Sequence, residues 1–396
     1  MKYTQCKYFN GYKPCKKNPS CDNQCPHLFI PQISLLLVHL GEMGAVLRST
    51  SLLHAIKRKF PSSQITWVTS PSAAPLLQNI SLIDRILTTT TKDLLILKAL
   101  EFEIGLCVDK SVEAVGIIKS TLCDFVYGFQ INPSNGAILP ATENANELWS
   151  LGLNDTKKFF INQKTETQLI CEALELGPFQ RDEYIVNLSE GEQQISEQRR
   201  QEWLQFKTDS QIISQKSISN KQQPVIGINT GCGPVIPYKK LQISLVKQLI
   251  EKIQQKWPKS PLVLLGGPSE TTINNEIAKQ HQIISSPTEF GPRDGLMSLQ
   301  ACDIVITGDS LGMHMAIALK KWVIAWFGPT CSHEIDLYER GVRLQTKLTC
   351  GPCWKRSCQN SPLCNEQVEI NEIIKAIESS TNSLNTPITN TIELEL

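Results

Sequence analysis

The chain has 396 residues, is 41% hydrophobic, and carries 39 Lys and Arg against 38 Asp and Glu for a net charge of +1. That length suits two domains rather than one core, and so even a charge balance excludes the global field of a nucleic-acid binder. No apolar run approaches the roughly 18 residues of a membrane span, and no signal-peptide hydrophobic region is present, so a cytoplasmic protein is expected.

Residues 1–31 are rich in Cys, Lys, Asn and Pro and lack hydrophobic periodicity. An apolar core is not expected to order them. Ile33–Leu40 reads as a buried strand, followed by a Gly-rich turn at Gly41 and Gly44. A helix over Val46–Phe60 would bury Leu47, Leu52, Leu53 and Ile56. Gln64–Thr69, Asp84–Thr88 and Ile104–Val108 are further strands, and Asp109 closes the last of them. Strands alternating with helices predict parallel βαβ units. The stretch 165–206 reads as two helices around Gly177-Pro178. Polar residues then predominate, as in a linker.

From Pro224 the alternation resumes. Val225-Ile-Gly-Ile-Asn-Thr-Gly231 is a strand and turn, followed by Pro237-Tyr-Lys-Lys240. Leu262-Val-Leu-Leu-Gly-Gly-Pro-Ser-Glu270 repeats the pattern. Ile304-Val-Ile-Thr-Gly-Asp-Ser-Leu-Gly-Met-His314 is the most informative stretch, and Val323-Ile-Ala-Trp-Phe-Gly-Pro-Thr330 follows it. A strand that enters a helix through small residues offers free backbone N–H groups at the helix's positive end, which suits a diphosphate. Gly312 leaves room for close approach, while Asp309 and His314 can reach a sugar or phosphate. Asp309 or Ser310 could equally be a plain N-cap.

The expected division is a Cys-rich segment 1–31, an N-terminal domain 32–206, a linker 207–223, a C-terminal domain 224–378 containing a Cys-rich stretch 350–364, and a disordered tail 379–396. Charge is uneven along it. Residues 1–60 hold nine Lys and Arg against Asp22 and Glu42, and residues 365–396 hold six Glu against Lys375. The basic N-terminal face suits an anionic lipid headgroup, or is an ordinary solvated surface.

In this order and at these separations the elements of residues 33–378 resemble glycosyltransferase family 9, the bacterial ADP-heptose:lipopolysaccharide heptosyltransferases. The paired Asp309-Ser-Leu-Gly-Met-His314 and Phe327-Gly-Pro-Thr330 carry the resemblance. It implies an α/β protein of the GT-B type, with two doubly wound Rossmann-like domains facing across a cleft. The first domain would take the acceptor, with Gly41 and Gly44 in the acceptor-side loop. The second would take a nucleotide-sugar donor. Lys239 would then lie near the donor phosphates, although it also reads as a solvated lysine. Glu270 would hold the donor ribose, or serve as an N-cap. Asp309 would stand at the donor sugar, Ser310 would belong to the same donor site, and Gly312, Met313 and His314 would form the diphosphate turn. Such transfer requires no cofactor, because N–H groups and Lys stabilise the departing diphosphate.

The sequence departs from the family at Ala45, where an aspartate thought to be the general base is expected. Alanine cannot accept a proton. Glu42, on the same turn, and Asp109 are the candidate catalytic carboxylates, and Glu42 also reads as a helix N-terminal acid.

Fourteen cysteines are the second unusual signal. Cys6, Cys15, Cys21 and Cys25 form one group beside His27. Cys350, Cys353, Cys358 and Cys364 form another. Four thiolates at modest spacing suit structural Zn²⁺, with an iron–sulfur cluster or free thiols as the alternatives. Cys107, Cys123, Cys171, Cys232, Cys302 and Cys331 read as small buried hydrophobes.

The resulting expectation is a glycosyltransferase moving heptose from an ADP-linked donor onto lipopolysaccharide core or a related surface glycan. Its partners would be the nucleotide sugar, a lipid-linked or surface glycan acceptor and the inner-membrane face, with no nucleic acid. Ala45 motivates a catalytically silent nucleotide-sugar-binding protein instead. The cysteines motivate a metal-dependent regulatory module on a transferase scaffold.

Overall fold

The computed structural model describes residues 2–9, 11–209 and 223–384. They fall into two compact units, Met1–Asn187 and Leu188–Leu396.

In the first unit β1 (Ile33–Val38) leads through α1 (Met43–Arg48) and α2 (Leu52–Lys59) to β2 (Ser63–Thr69). The winding continues with β3 (Arg85–Thr88), α3 (Thr91–Lys98), β4 (Glu101–Cys107), α4 (Val112–Ser120) and β5 (Leu122–Ile131). A short antiparallel edge, β6 (Ile138–Pro140), and two helices, α5 (Asn146–Leu151) and α6 (Glu166–Ala173), complete it. The strand order is β3-β2-β1-β4-β5-β6. Leu35, Leu36, Leu37 and Val38 are wholly buried, because helices cover both faces of a parallel sheet and leave no solvent side for alternation. The single helix expected over 46–60 is divided by a 3₁₀ turn at Ser49–Ser51. There the Thr50 hydroxyl donates to the Leu47 carbonyl at 2.6 Å and the Ser51 hydroxyl to the Arg48 carbonyl at 2.9 Å. Hydroxyl groups that bond back to the helix compete with its regular ladder.

The second unit begins earlier than expected, with α7 (Glu190–Asp209). Its remaining elements are β7 (Ile226–Asn229), α8 (Ile243–Lys256), β8 (Leu262–Leu265), α9 (Thr271–His281), β9 (Ile284–Ser285), α10 (Pro292–Gln300), β10 (Ile304–Gly308), α11 (Leu311–Ala318), β11 (Trp322–Phe327), β12 (Gly341–Gln345) and α12 (Ile370–Leu384). The strands are all parallel, in the order β12-β11-β10-β7-β8-β9. The expected boundary at 206 differs from the observed one because charged groups tie α7 to this unit. Arg199 holds Asp294 of α10 at 2.6 Å, Arg200 holds Asp303 at 2.9 Å, and Glu192 pairs with Arg293. Sequence periodicity does not reveal which neighbour a polar helix will choose.

The tail expected from 379 is also shorter, because α12 extends to Leu384 and buries Ile373 and Ile377 in the core. Residues 210–222 of the expected linker and 385–396 of the tail lie outside the described residues.

In both units the strand order reverses direction between two neighbouring strands, β1 and β4 in the first and β7 and β10 in the second. Doubly wound sheets bind ligands at the carboxyl ends of the strands at such switch points.

Candidate active site

The first switch point is built around Asp109. Its Oδ2 accepts the N–H of Leu40 and, at 3.0 Å, the N–H of Gly41. Its Oδ1 stands 3.4 Å from Nε2 of His39. A side chain at position 41 would meet Asp109 Oδ1 at 2.9 Å and His39 Nε2 at 3.3 Å, so glycine is what lets the turn close on the carboxylate. Burial holds the His39 imidazole below its ordinary range despite the pull of Asp109. The imidazole is therefore neutral near pH 7. His39 was not among the expected site residues. Its sequence signal was a polar residue directly after the apolar run Leu35–Val38.

Asp109 and Gly41 line a cavity of about 620 Å³ that also reaches Ser70, Thr89 and Lys98. The wall lies at the carboxyl ends of β1 to β4 and between α3 and α4. Glu42 is exposed at the start of α1, and its side chain makes no capping hydrogen bond. That position is also the one an acid complementing the helix dipole would take, a reading that needs no such bond. Gly44 is buried in α1, and Ala45 follows it half-buried.

The second switch point joins β7 to β10. Asn229 ends β7 and its Nδ2 donates to Thr307 Oγ1 and to Ser310 Oγ, both at 2.9 Å. Ser310 begins α11 without a side-chain cap bond, so its hydroxyl serves this link rather than the helix end. A side chain at Gly312 would sit 3.0 Å from Asn229 Nδ2. The room that Gly312 leaves is thus filled by Asn229, a group the sequence reading had passed over.

Gly308 is equally constrained. A Cβ there would stand 1.8 Å from the Lys239 carbonyl oxygen, so only glycine allows the Pro237–Lys239 turn to press against the end of β10. That approach brings Lys239 Nζ within 3.0 Å of Asp309 Oδ2. His314 Nε2 lies 4.0 Å from Asp309 Oδ1. Burial would raise the Asp309 carboxyl, but the charges of Lys239 and His314 and hydrogen bonds from Lys239 and Thr330 outweigh it and hold the group below its usual range. The result is an ionised carboxylate and a cation side by side at the N-terminus of α11, where the first N–H groups have no intrahelical acceptor.

Met313 has no solvent exposure, and its N–H bonds the Ser310 carbonyl at 3.1 Å, so its side chain belongs to the core. Glu270 is buried at the end of β8. Its Oε2 accepts the Gly267 N–H at 3.0 Å, and its Oε1 lies 3.6 Å from Lys240 Nζ. It acts as an acid reaching back to the start of its own turn, beside Lys240.

Cys350, Cys353, Cys358 and Cys364 line one cavity of about 260 Å³. The stretch touches the Pro237–Lys239 turn twice. The Cys358 N–H donates to the Tyr238 hydroxyl at 3.2 Å, and Lys239 Nζ sits 5.3 Å from the Trp354 ring centroid. Burial, then the neighbouring cysteines, push the Cys364 thiol up to about 11. Among the described residues the compact ligand grouping is instead Cys331, His333 and Glu334, with donor atoms within 4.8 Å of one another. Cys331 is buried as expected, yet it belongs to this trio directly after Phe327-Gly-Pro-Thr330. A Cys-x-His-Glu run is the signal that could have found it.

Two doubly wound units, each with a glycine-dependent turn at its switch point, make an α/β fold of the GT-B type. Residues 173–364 match the model of glycosyltransferase family 9 (heptosyltransferase). Its fold is similar to that of the glycosyltransferase family 9 protein from Veillonella parvula, with a TM-score of 0.65 at 14% identity over 89% of this chain and 98% of that one. The ADP-heptose lps heptosyltransferase II of E. coli gives 0.59 at 15% identity over 89% and 100%. The iron-containing dodecameric glycosyltransferase TibC of E. coli gives 0.52 at 11% identity over 90% and 78%. No curated protein matches the chain.

Proposed function

We propose that the protein transfers a sugar, heptose from an ADP-linked donor, onto lipopolysaccharide core or a related surface glycan. The observation that carries this reading is the Lys239–Asp309 pair at the start of α11. Lys239 and the first N–H groups of α11 bind the diphosphate, and Asp309 and Ser310 face the donor sugar. Glu270 and its neighbour Lys240 hold the ribose side. In the transfer the acceptor hydroxyl oxygen bonds to the anomeric carbon and its proton passes to a carboxylate. The bond from that carbon to the diphosphate breaks, and the nucleoside diphosphate leaves with the electron pair.

Glu42 is assigned the proton, because its carboxylate is exposed and makes no cap bond. Asp109, with Oδ2 committed to two backbone N–H groups, positions the turn at Gly41. Structural Zn²⁺ at Cys350, Cys353, Cys358 and Cys364 would hold Trp354 beside Lys239. No helix among the described residues is long and apolar enough to cross a membrane. A cytoplasmic protein that touches the inner membrane through its basic N-terminal face fits the lipid-linked acceptor.

The test is turnover of ADP-heptose by Glu42→Gln. The variant should slow the chemical step by about 10²-fold with donor affinity unchanged, and Ala45→Asp should restore part of the loss. Turnover that survives Glu42→Gln would move the role to Asp109. Tight donor binding without turnover in the unaltered protein would favour the silent binding protein that Ala45 suggests.

A further inference from the structure

Residues 2–31 fold without a single buried side chain among those described. They nevertheless hold a defined path. Turns close at Cys6 and Cys25 through the Phe9 N–H to the Cys6 carbonyl at 2.8 Å and the Leu28 N–H to the Cys25 carbonyl at 3.0 Å. The two ends of the segment meet where the Lys7 N–H reaches the Phe29 carbonyl at 2.9 Å. Lys7 then anchors the segment to the first unit through Asp84, 2.9 Å away.

Cys6, Cys15, Cys21 and Cys25 all line one small cavity of about 20 Å³, with His27 beside them. Two sulfurs already accept hydrogen bonds, Cys25 from Asn18 Nδ2 at 3.2 Å and Cys6 from the Phe29 N–H at 3.5 Å. A cavity of this size admits one ion, since a water needs about 10–15 Å³.

We infer that these four cysteines bind one structural Zn²⁺, which staples the N-terminal segment onto the edge of the first unit. Four thiols lose four protons as four Zn–S bonds form, leaving a site with two negative charges. Lys2, Lys7, Lys13, Lys16 and Lys17 surround it in sequence against only Asp22, so the metal site relieves their mutual repulsion. Tetrahedral Zn–S bonds place sulfurs about 3.8 Å apart. The four thiols stand wider than the compact grouping of the second unit, so binding draws them inward. This site is independent of the donor and acceptor chemistry.

The experiment uses the full chain loaded with Zn²⁺. Metal content is measured by elemental analysis, and native thiols are mapped by alkylation and mass spectrometry with and without chelator. Cys6, Cys15, Cys21 and Cys25 should be protected at least tenfold in alkylation rate until chelator is added. Cys21→Ser should lose one equivalent of zinc, and Cys353→Ser should leave that equivalent in place. Rapid alkylation of the four thiols in the zinc-loaded protein would overturn the inference even if Cys21→Ser fails to fold. Zinc content unchanged in Cys21→Ser, or iron with acid-labile sulfide at these cysteines, would overturn it equally.

Discussion

A methyl group on Gly308 would press on the Lys239 carbonyl at 1.8 Å, and one on Gly41 would meet Asp109 at 2.9 Å. Backbone cannot give way as a flexible side chain can. Gly308→Ala is therefore expected to cost about 1–3 kcal/mol, the range of overpacked sites, and to displace Lys239 from Asp309. Gly233→Ala, which meets nothing within 4 Å, is its control. Denaturant titration of both variants checks the difference, and equal midpoints would contradict it. At this scale the sequence was partly legible. Asp309, Ser310 and His314 were named from a strand, a turn and a helix and Lys239 from the family resemblance, and Lys239 and His314 both lie beside Asp309. Gly312 was named for a ligand, and it also clears Asn229. Asn229 and His39 were missed because each is a single polar residue at the end of an apolar run, and only the third dimension supplies its partner.

Among the elements, α7 departs furthest from expectation. Its helical character is legible, and its allegiance is not, since ion pairs with distant residues decide it. Arg293 hydrogen-bonds Glu192 and holds the carboxyl at about 2 against an ordinary value of 4.5. A group whose pKa falls on folding stabilises fully above its unfolded value and loses that contribution as pH falls through the folded one. The clamp is thus complete above about pH 4.5 and fades towards pH 2. Melting temperature should fall less steeply between pH 5 and pH 3 in Glu192→Gln than in the unaltered protein, and parallel curves would contradict the clamp. Strands β1, β7, β8, β10 and β11 were legible because their apolar runs are continuous. Strand β5 was not, being largely exposed or half-buried, nor were the very short β6 and β9, nor β12, where Gly341, Arg343 and Gln345 break the apolar run.

For the whole molecule, two α/β units were legible from length and from strands recurring between helices, while the boundary between them was not. A polar stretch at 210–222 marks a place to cut, whereas α7, before it, packs on the second unit. Limited proteolysis should cut first within 208–223, and a fragment of residues 188–396 should unfold more cooperatively than one of residues 224–396, which lacks α7. Early cleavage inside 225–330 would contradict this division.

The central claim is that the second unit binds a nucleotide-sugar diphosphate between Lys239, Asp309 and the start of α11. Calorimetric titration of the full chain with ADP-heptose, alongside Asp309→Ala, tests it most directly. Saturable binding by the unaltered protein is expected, with at least about a tenfold loss in the variant, roughly 1.4 kcal/mol, and the fold intact by circular dichroism. Unchanged affinity in Asp309→Ala would place the donor elsewhere and contradict it.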